Sequence, residues 1–169
     1  YYGPFQFTIR LQEAMEQQGV DAVFLTDPTV YDRNYVEQGG STVDGTYVYS
    51  VIQRFEDTSI PEMVLYRQWL ERVAPGSIPN YYGLFAWSPA RLFVQKATEL
   101  GGDLTRPALV QALKGVKDWD SNGIHAPMAI GAKTTPGCIK MFRLDSGSWS
   151  QVSPGDFMCG PLVDSGVGG

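Results

Sequence analysis

Helical periodicity alternates with short apolar runs along the first half of this chain, and that alternation narrows the fold more than any other feature. Phe7, Leu11, Ala14 and Met15 recur at helical spacing, and Gly19 follows as a stop. Val20 to Leu25 is then almost continuously apolar, broken only by Asp21, and Thr26, Asp27 and Pro28 end it. A run of that length between turn residues predicts a strand buried on both faces, as in a parallel sheet. Thr29 and Asp32 have capping-box spacing for a helix carrying Tyr35 and Val36, closed by Gly39 and Gly40. Thr46 to Ile52, rich in Val, Tyr and Thr, predicts a second strand.

Helices and a hairpin follow. Ser59, Pro61 and Glu62 form a helix start, and Met63, Tyr66, Trp69, Leu70 and Val73 share one face before Pro75 and Gly76. The longest helical stretch runs from Asn80 to Leu100, with Leu84, Phe85, Leu92, Phe93 and Ala97 inward. Pro89 either kinks that helix or takes the first position of a second one capped by Ser88. Thr105 opens an amphipathic helix carrying Leu109, Ala112, Leu113 and Val116. Cys138 to Leu144, a turn at Asp145, Ser146 and Gly147, and Trp149 to Val152 read as a β-hairpin. The order α-β-α-β-α-α-α with a terminal hairpin is an α/β pattern, and the Gly-rich stretch after Gly160 is expected to be a frayed tail.

Composition removes several function classes. The 169 residues suffice for one domain with a real core, and 43% hydrophobic with 18% charged residues is ordinary for a globular chain. Net charge is −5, and the 13 basic residues are scattered, so no stripe exists to track nucleic-acid phosphates. No apolar run is long enough to span a bilayer. The chain opens at Tyr1 and its first residues carry no signal-peptide pattern, which says nothing of compartment. Cys138 and Cys159 lie outside any C-x-x-C spacing, so a structural zinc is not expected; they are either one disulfide or two buried thiols.

Five segments together resemble the type I periplasmic binding proteins, in the group that binds branched-chain amino acids. They are Ala22 to Tyr31 with the following helix and Gly39-Gly40; Asp44 to Val48; Pro79 to Trp87, running into a helix that ends at Gly101-Gly102-Asp103; Leu104 to Gly115; and Pro136 to Phe142 with its hairpin. No single segment is specific; their succession over residues 11–160 carries the likeness, which is to the C-terminal half of such proteins. The strand entry departs from the family pattern, with Ser41 and Asp44 where Asp and Glu are usual, and Pro89 interrupts the long helix.

The resemblance implies a partial two-lobed, three-layer α/β/α fold with a C-terminal β-hairpin. Residues 1–45 would belong to one lobe, 46–125 to the other after a hinge crossing, 126–160 would return across the hinge, and 161–169 would be a flexible tail. It implies a Cys138–Cys159 disulfide and no cofactor. It also implies an extracytoplasmic protein, free or lipid-anchored, that captures an amino acid or similar small polar solute for the membrane permease of an ABC importer. A ligand-sensing domain of a receptor or regulator with the same fold is the alternative.

Three residues are candidates for the solute site. Asp27 follows a predicted parallel strand, where open α/β sheets bind ligands, and a carboxylate there can pair with an ammonium group; as Asp before Pro it is equally a turn former. Tyr82 matches the position at which the family presents an aromatic ring, with Tyr81 as the neighbour if the register slips. Tyr31 is a further candidate for the cleft wall. His125, the only histidine, reads as structural, and the chain carries no nucleophile elbow, Walker loop, dinucleotide fingerprint or H-E-x-x-H, so an enzyme is not expected.

Overall fold

The computed structural model describes residues 3–132, 134, 136–163 and 166. Five helices and five strands follow in chain order among them: α1 (Phe5–Gln17), β1 (Leu25–Thr26), α2 (Arg33–Gly39), β2 (Tyr47–Ser50), α3 (Pro61–Val73), α4 (Tyr81–Leu100), α5 (Arg106–Lys114), β3 (Cys138–Asp145), β4 (Ser148–Gln151) and β5 (Met158–Cys159). The expected tail of 161–169 falls largely outside the described residues.

The strands form one mixed sheet in the order β1-β2-β3-β4, with β5 also on β3. β1 runs parallel to β2, while β3 lies antiparallel to β2 and β4. The β3–β4 hairpin turns on Ser146 (φ 48°) and Gly147 (φ 74°), two left-handed residues of the kind tight hairpins need. Lys140, Phe142 and Leu144 alternate inward along β3, and Phe142 pairs with buried Val48 of β2.

β1 differs from expectation. Only Leu25 and Thr26 pair, and Val20, Val23 and Leu25 are exposed, Val23 by 79%. The cause is topological: β1 ends the sheet order, with β2 as its one neighbouring strand. A two-faced apolar run is therefore only half covered here. α1 also turns a different face inward, burying Thr8, Ile9 and Gln12 while Phe7 is exposed. The buried polar groups explain this: Gln12 Nε2 donates to Thr46 Oγ1 (2.8 Å), and the Tyr35 hydroxyl donates to Gln12 Oε1 (2.6 Å). A closed polar network thus ties α1, α2 and the start of β2 together.

The core centres on stacked rings. Tyr31 lies between Phe55 and Phe142, each 5.1 Å away and near parallel, with the Trp149 ring edge-on at 5.5 Å. After β2 the chain pairs with a later segment: Ile52 bridges His125, and Ala126 N donates to the Val51 carbonyl (2.8 Å).

The helical region follows. α4 runs unbroken through Pro89, so Ser88 caps no second helix. Its hydroxyl instead accepts from Trp119 Nε1 (2.8 Å) and bonds His125 Nε2 (2.7 Å). α3 begins with Pro61 at its first turn, but Ser59 bonds Asp57 rather than capping the helix. Glu62 is drawn away toward α4, where Arg91 grips it at 2.7 and 3.2 Å. α5 packs close to the turn at Ile130–Ala132, where a Cβ on Gly131 would collide with the Lys114 carbonyl.

Candidate functional site

The N-termini of α1 and α4 meet the turn after β1, and the space between them is a hollow of about 430 Å³. Each wall has a local cause. Asn80 caps α4 by accepting from Gly83 N (2.9 Å), which brings Tyr81 and Tyr82 into the first turn. Position 83 must be small, because a Cβ there would strike the Tyr66 hydroxyl. Tyr81 packs inward on Phe85 (4.4 Å), leaving Tyr82 69% exposed on the hollow's wall. Opposite, Asp27 caps the short 3-10 turn of Pro28–Val30, its Oδ1 accepting from Thr29 N (2.9 Å). This turn presents Thr29 to the hollow, and Gly3, Pro4 and Phe5 close a third side.

The three candidate residues therefore have different situations. Tyr82 lines the hollow. Asp27 sits behind Thr29 rather than on the lining, 1% exposed, and its Oδ2 is buried without a partner among the described residues. Tyr31 is only 2% exposed, within the aromatic core, and its hydroxyl donates to Glu56 (2.9 Å). Burial, then the Glu56 charge, pushes the Tyr31 phenol well up, so it stays a neutral donor. Sequence reasoning did not place Gly3 to Gln6, Thr29 or Asn80 at this hollow. Asn80 ahead of a long helical run was a readable N-cap, and Thr29 a readable turn residue. What the sequence lacks is the approach of α1 to α4.

A second hollow of about 580 Å³ lies on the other side of Asp32, between α2, the loop after β2, α3 and the β3–β4 turn. Arg33, Arg54, Arg67, Phe55 and Trp149 are among its walls.

Two further polar centres are sealed within the fold. Glu62 is 6% exposed and accepts from Arg91, from Trp87 Nε1 (2.8 Å) and from Asn122 Nδ2 (3.0 Å). Burial alone would raise its carboxyl; the bonds from Arg91, Trp87 and Asn122 outweigh that and hold it below the ordinary carboxylate value. The Ser88–His125 pair has hydroxyl-to-imidazole geometry, but both residues are buried, and the Trp119 indole and the Ala126 carbonyl take the other positions. Such a pair packs three segments together and offers no substrate a path. Among the described residues no three His, Cys, Asp or Glu side chains gather as a metal centre, and no helix is long and apolar enough to cross a membrane.

The sequence profile of a family described as periplasmic binding protein matches residues 2–148. No curated protein is significantly similar in sequence. Among solved structures, a possible leucine/isoleucine/valine-binding protein from Rhodopirellula baltica SH 1 superposes with a TM-score of 0.74 at 16% identity, over 89% of this chain and 41% of its own. A fatty acid ABC transporter substrate-binding protein from Thermomonospora curvata gives 0.70 at 17%, over 89% and 41%. A branched chain amino acid ABC transporter from Thermus thermophilus with bound valine gives 0.69 at 12%, over 86% and 42%. The chain spans less than half the length of each of these structures.

Proposed function

Because this chain belongs to the periplasmic binding protein family, we propose that it forms part of the solute cleft of an extracytoplasmic binding protein that serves an ABC importer. The solute is an amino acid or a similar small polar molecule. The observation that carries this reading is the hollow where exposed Tyr82 faces the Asp27–Thr29 turn. The Tyr82 ring offers apolar contact and a polar tip at little entropic cost. Thr29 offers a hydroxyl, and Asp27, off the lining, acts by holding the turn that presents it.

The lobes divide in this reading near residue 45 and again near 126, with Val51–Gln53 and Ile124–Ala126 as paired crossing strands. Closure of the hinge is driven by contacts made only in the closed state. The Cys138–Cys159 disulfide (S–S 2.16 Å) suits an oxidising compartment outside the cytoplasm.

The test is amide NMR of this chain with leucine, valine and a panel of other amino acids at millimolar concentration. Shifts should cluster at Thr29, Asn80 and Tyr82. Tyr82→Ala should abolish them while changing folding stability by only about 0.5 kcal/mol, since the side chain is exposed. A solute whose shifts map elsewhere, or persist in Tyr82→Ala, contradicts this assignment.

A further inference from the structure

We propose that the second hollow, of about 580 Å³, binds a small organic anion with a compact apolar body, such as an aromatic carboxylate. It is separate from the hollow under Tyr82 and stands whether or not that one takes an amino acid. Three arginines reach its walls from three elements: Arg33 from α2, Arg54 from the loop after β2, and Arg67 from α3.

Their neutralisation is uneven. Arg33 is engaged by Glu37 at 2.8 Å, one helical turn along. Arg54 approaches Glu56 only to 3.9 Å, beyond a hydrogen bond, and that carboxylate already accepts from Tyr31. Asp32, the other wall carboxylate, is bonded to Asn34 N (2.7 Å) and Nδ2 (3.0 Å). The Arg67 guanidinium, on α3, has neither a hydrogen bond nor an ion pair among the described residues. The hollow thus holds one guanidinium without a side-chain partner and one loosely held one, and its three arginines outnumber its two wall carboxylates, Asp32 and Glu56.

The remaining walls choose the kind of anion. Val36, Phe55, Ile78 and the Trp149 ring are apolar and face the same space. An arginine fork fits a carboxylate with two parallel N–H donors, and apolar walls strengthen that pairing relative to open water. The volume lies within the range of ordinary small-molecule sites. An inorganic anion would leave the apolar walls unused, and a neutral aromatic would leave Arg67 unpaired.

The experiment titrates this chain with sodium benzoate, benzyl alcohol and inorganic phosphate, by calorimetry and by NMR of the Arg67 Nε–H and Trp149 indole N–H resonances. Benzoate should shift both saturably and bind more tightly than either comparator. Arg67→Gln should weaken benzoate roughly tenfold or more, as loss of a charge-assisted bond does. Arg67→Lys, which keeps the charge but loses the fork, should fall between, and Arg72→Gln, elsewhere on α3, should leave binding unchanged. No saturable benzoate shift at these two groups overturns the proposal. So does undiminished binding by Arg67→Gln, or benzyl alcohol or phosphate binding as tightly as benzoate.

Discussion

His125 carries the chain's one imidazole, and its surroundings make folding depend on pH. Burial holds it below its ordinary value of 6.5, against the raising effects of the Ala126 carbonyl and the Asp120 charge. The unfolded chain therefore takes up a proton as pH falls through 6.5, while the folded one resists. More protons bound in the unfolded state means stability that rises with pH, so this contribution is present above 6.5 and is lost as pH drops toward the folded value. Thermal melting from about pH 7.5 to 5.5 should show a falling midpoint. His125→Gln should lose about 1–3 kcal/mol at neutral pH and flatten that slope. A flat wild-type profile across the window contradicts the assignment. That this histidine is structural was legible from its isolation in the sequence. Its side-chain partner was not: Ser88 lies 37 residues away in sequence, and Ser88 in turn accepts from Trp119, 31 residues further along the chain than Ser88. Glu62 shows the same limit, since a helix-start carboxylate reads as a cap until α4 brings Arg91 to it.

β3 organises the sheet, and its N-terminal end is tied down by covalent and ionic means together. Cys138 pairs with Cys159 across the β3–β5 ladder, and the bond closes a separation of 21 residues. Two residues along, Lys140 is buried, bonds Gln53, reaches Asp156 at 2.8 Å and lies 4.8 Å above the Phe157 ring. Gln53 also donates to Asp156 (2.8 Å), so the segment before β5 is fixed to the loop after β2. Replacing both cysteines by serine should lower unfolding free energy by about 3 kcal/mol on the loop-entropy account. Denaturant titration checks the size, and thiol labelling of the unfolded, unreduced protein should find no free cysteine. A midpoint unchanged by the double substitution contradicts a stabilising bond. At this scale the hairpin was legible because its signals are local: alternating residues and a Ser146-Gly147 turn. The inward face of α1 was not, since Gln12 is buried only because Tyr35 and Thr46 satisfy it. Nor was the exposure of Val23, because a residue run does not record how many strands will flank it.

For the whole molecule, both hollows lie where the sheet-bearing and helical parts of the chain adjoin, and Asp32 borders each of them. Neither is deep. A well-formed small-molecule site buries most of its ligand, typically around 70–90% of the ligand surface. In the hollow under Tyr82, Tyr82 itself remains 69% exposed, so a guest held by these residues alone keeps much of its contact with water. The loss of translational freedom on binding is the same however few contacts form, so a shallow site returns little net affinity. Leucine or valine should accordingly bind this chain with a Kd no tighter than about 1 mM, in the range where NMR detects shifts and calorimetry gives little heat. The leucine/isoleucine/valine-binding and valine-bound structures it resembles are more than twice its length, and in the proposed reading their additional chain closes the other side of the cleft. Joining this chain to such a partner lobe should then tighten binding by orders of magnitude without altering the contacts at Tyr82. Calorimetry that returns micromolar affinity for leucine or valine from these 169 residues alone would show that the hollow is a complete site, and the two-sided clamp would have to be abandoned.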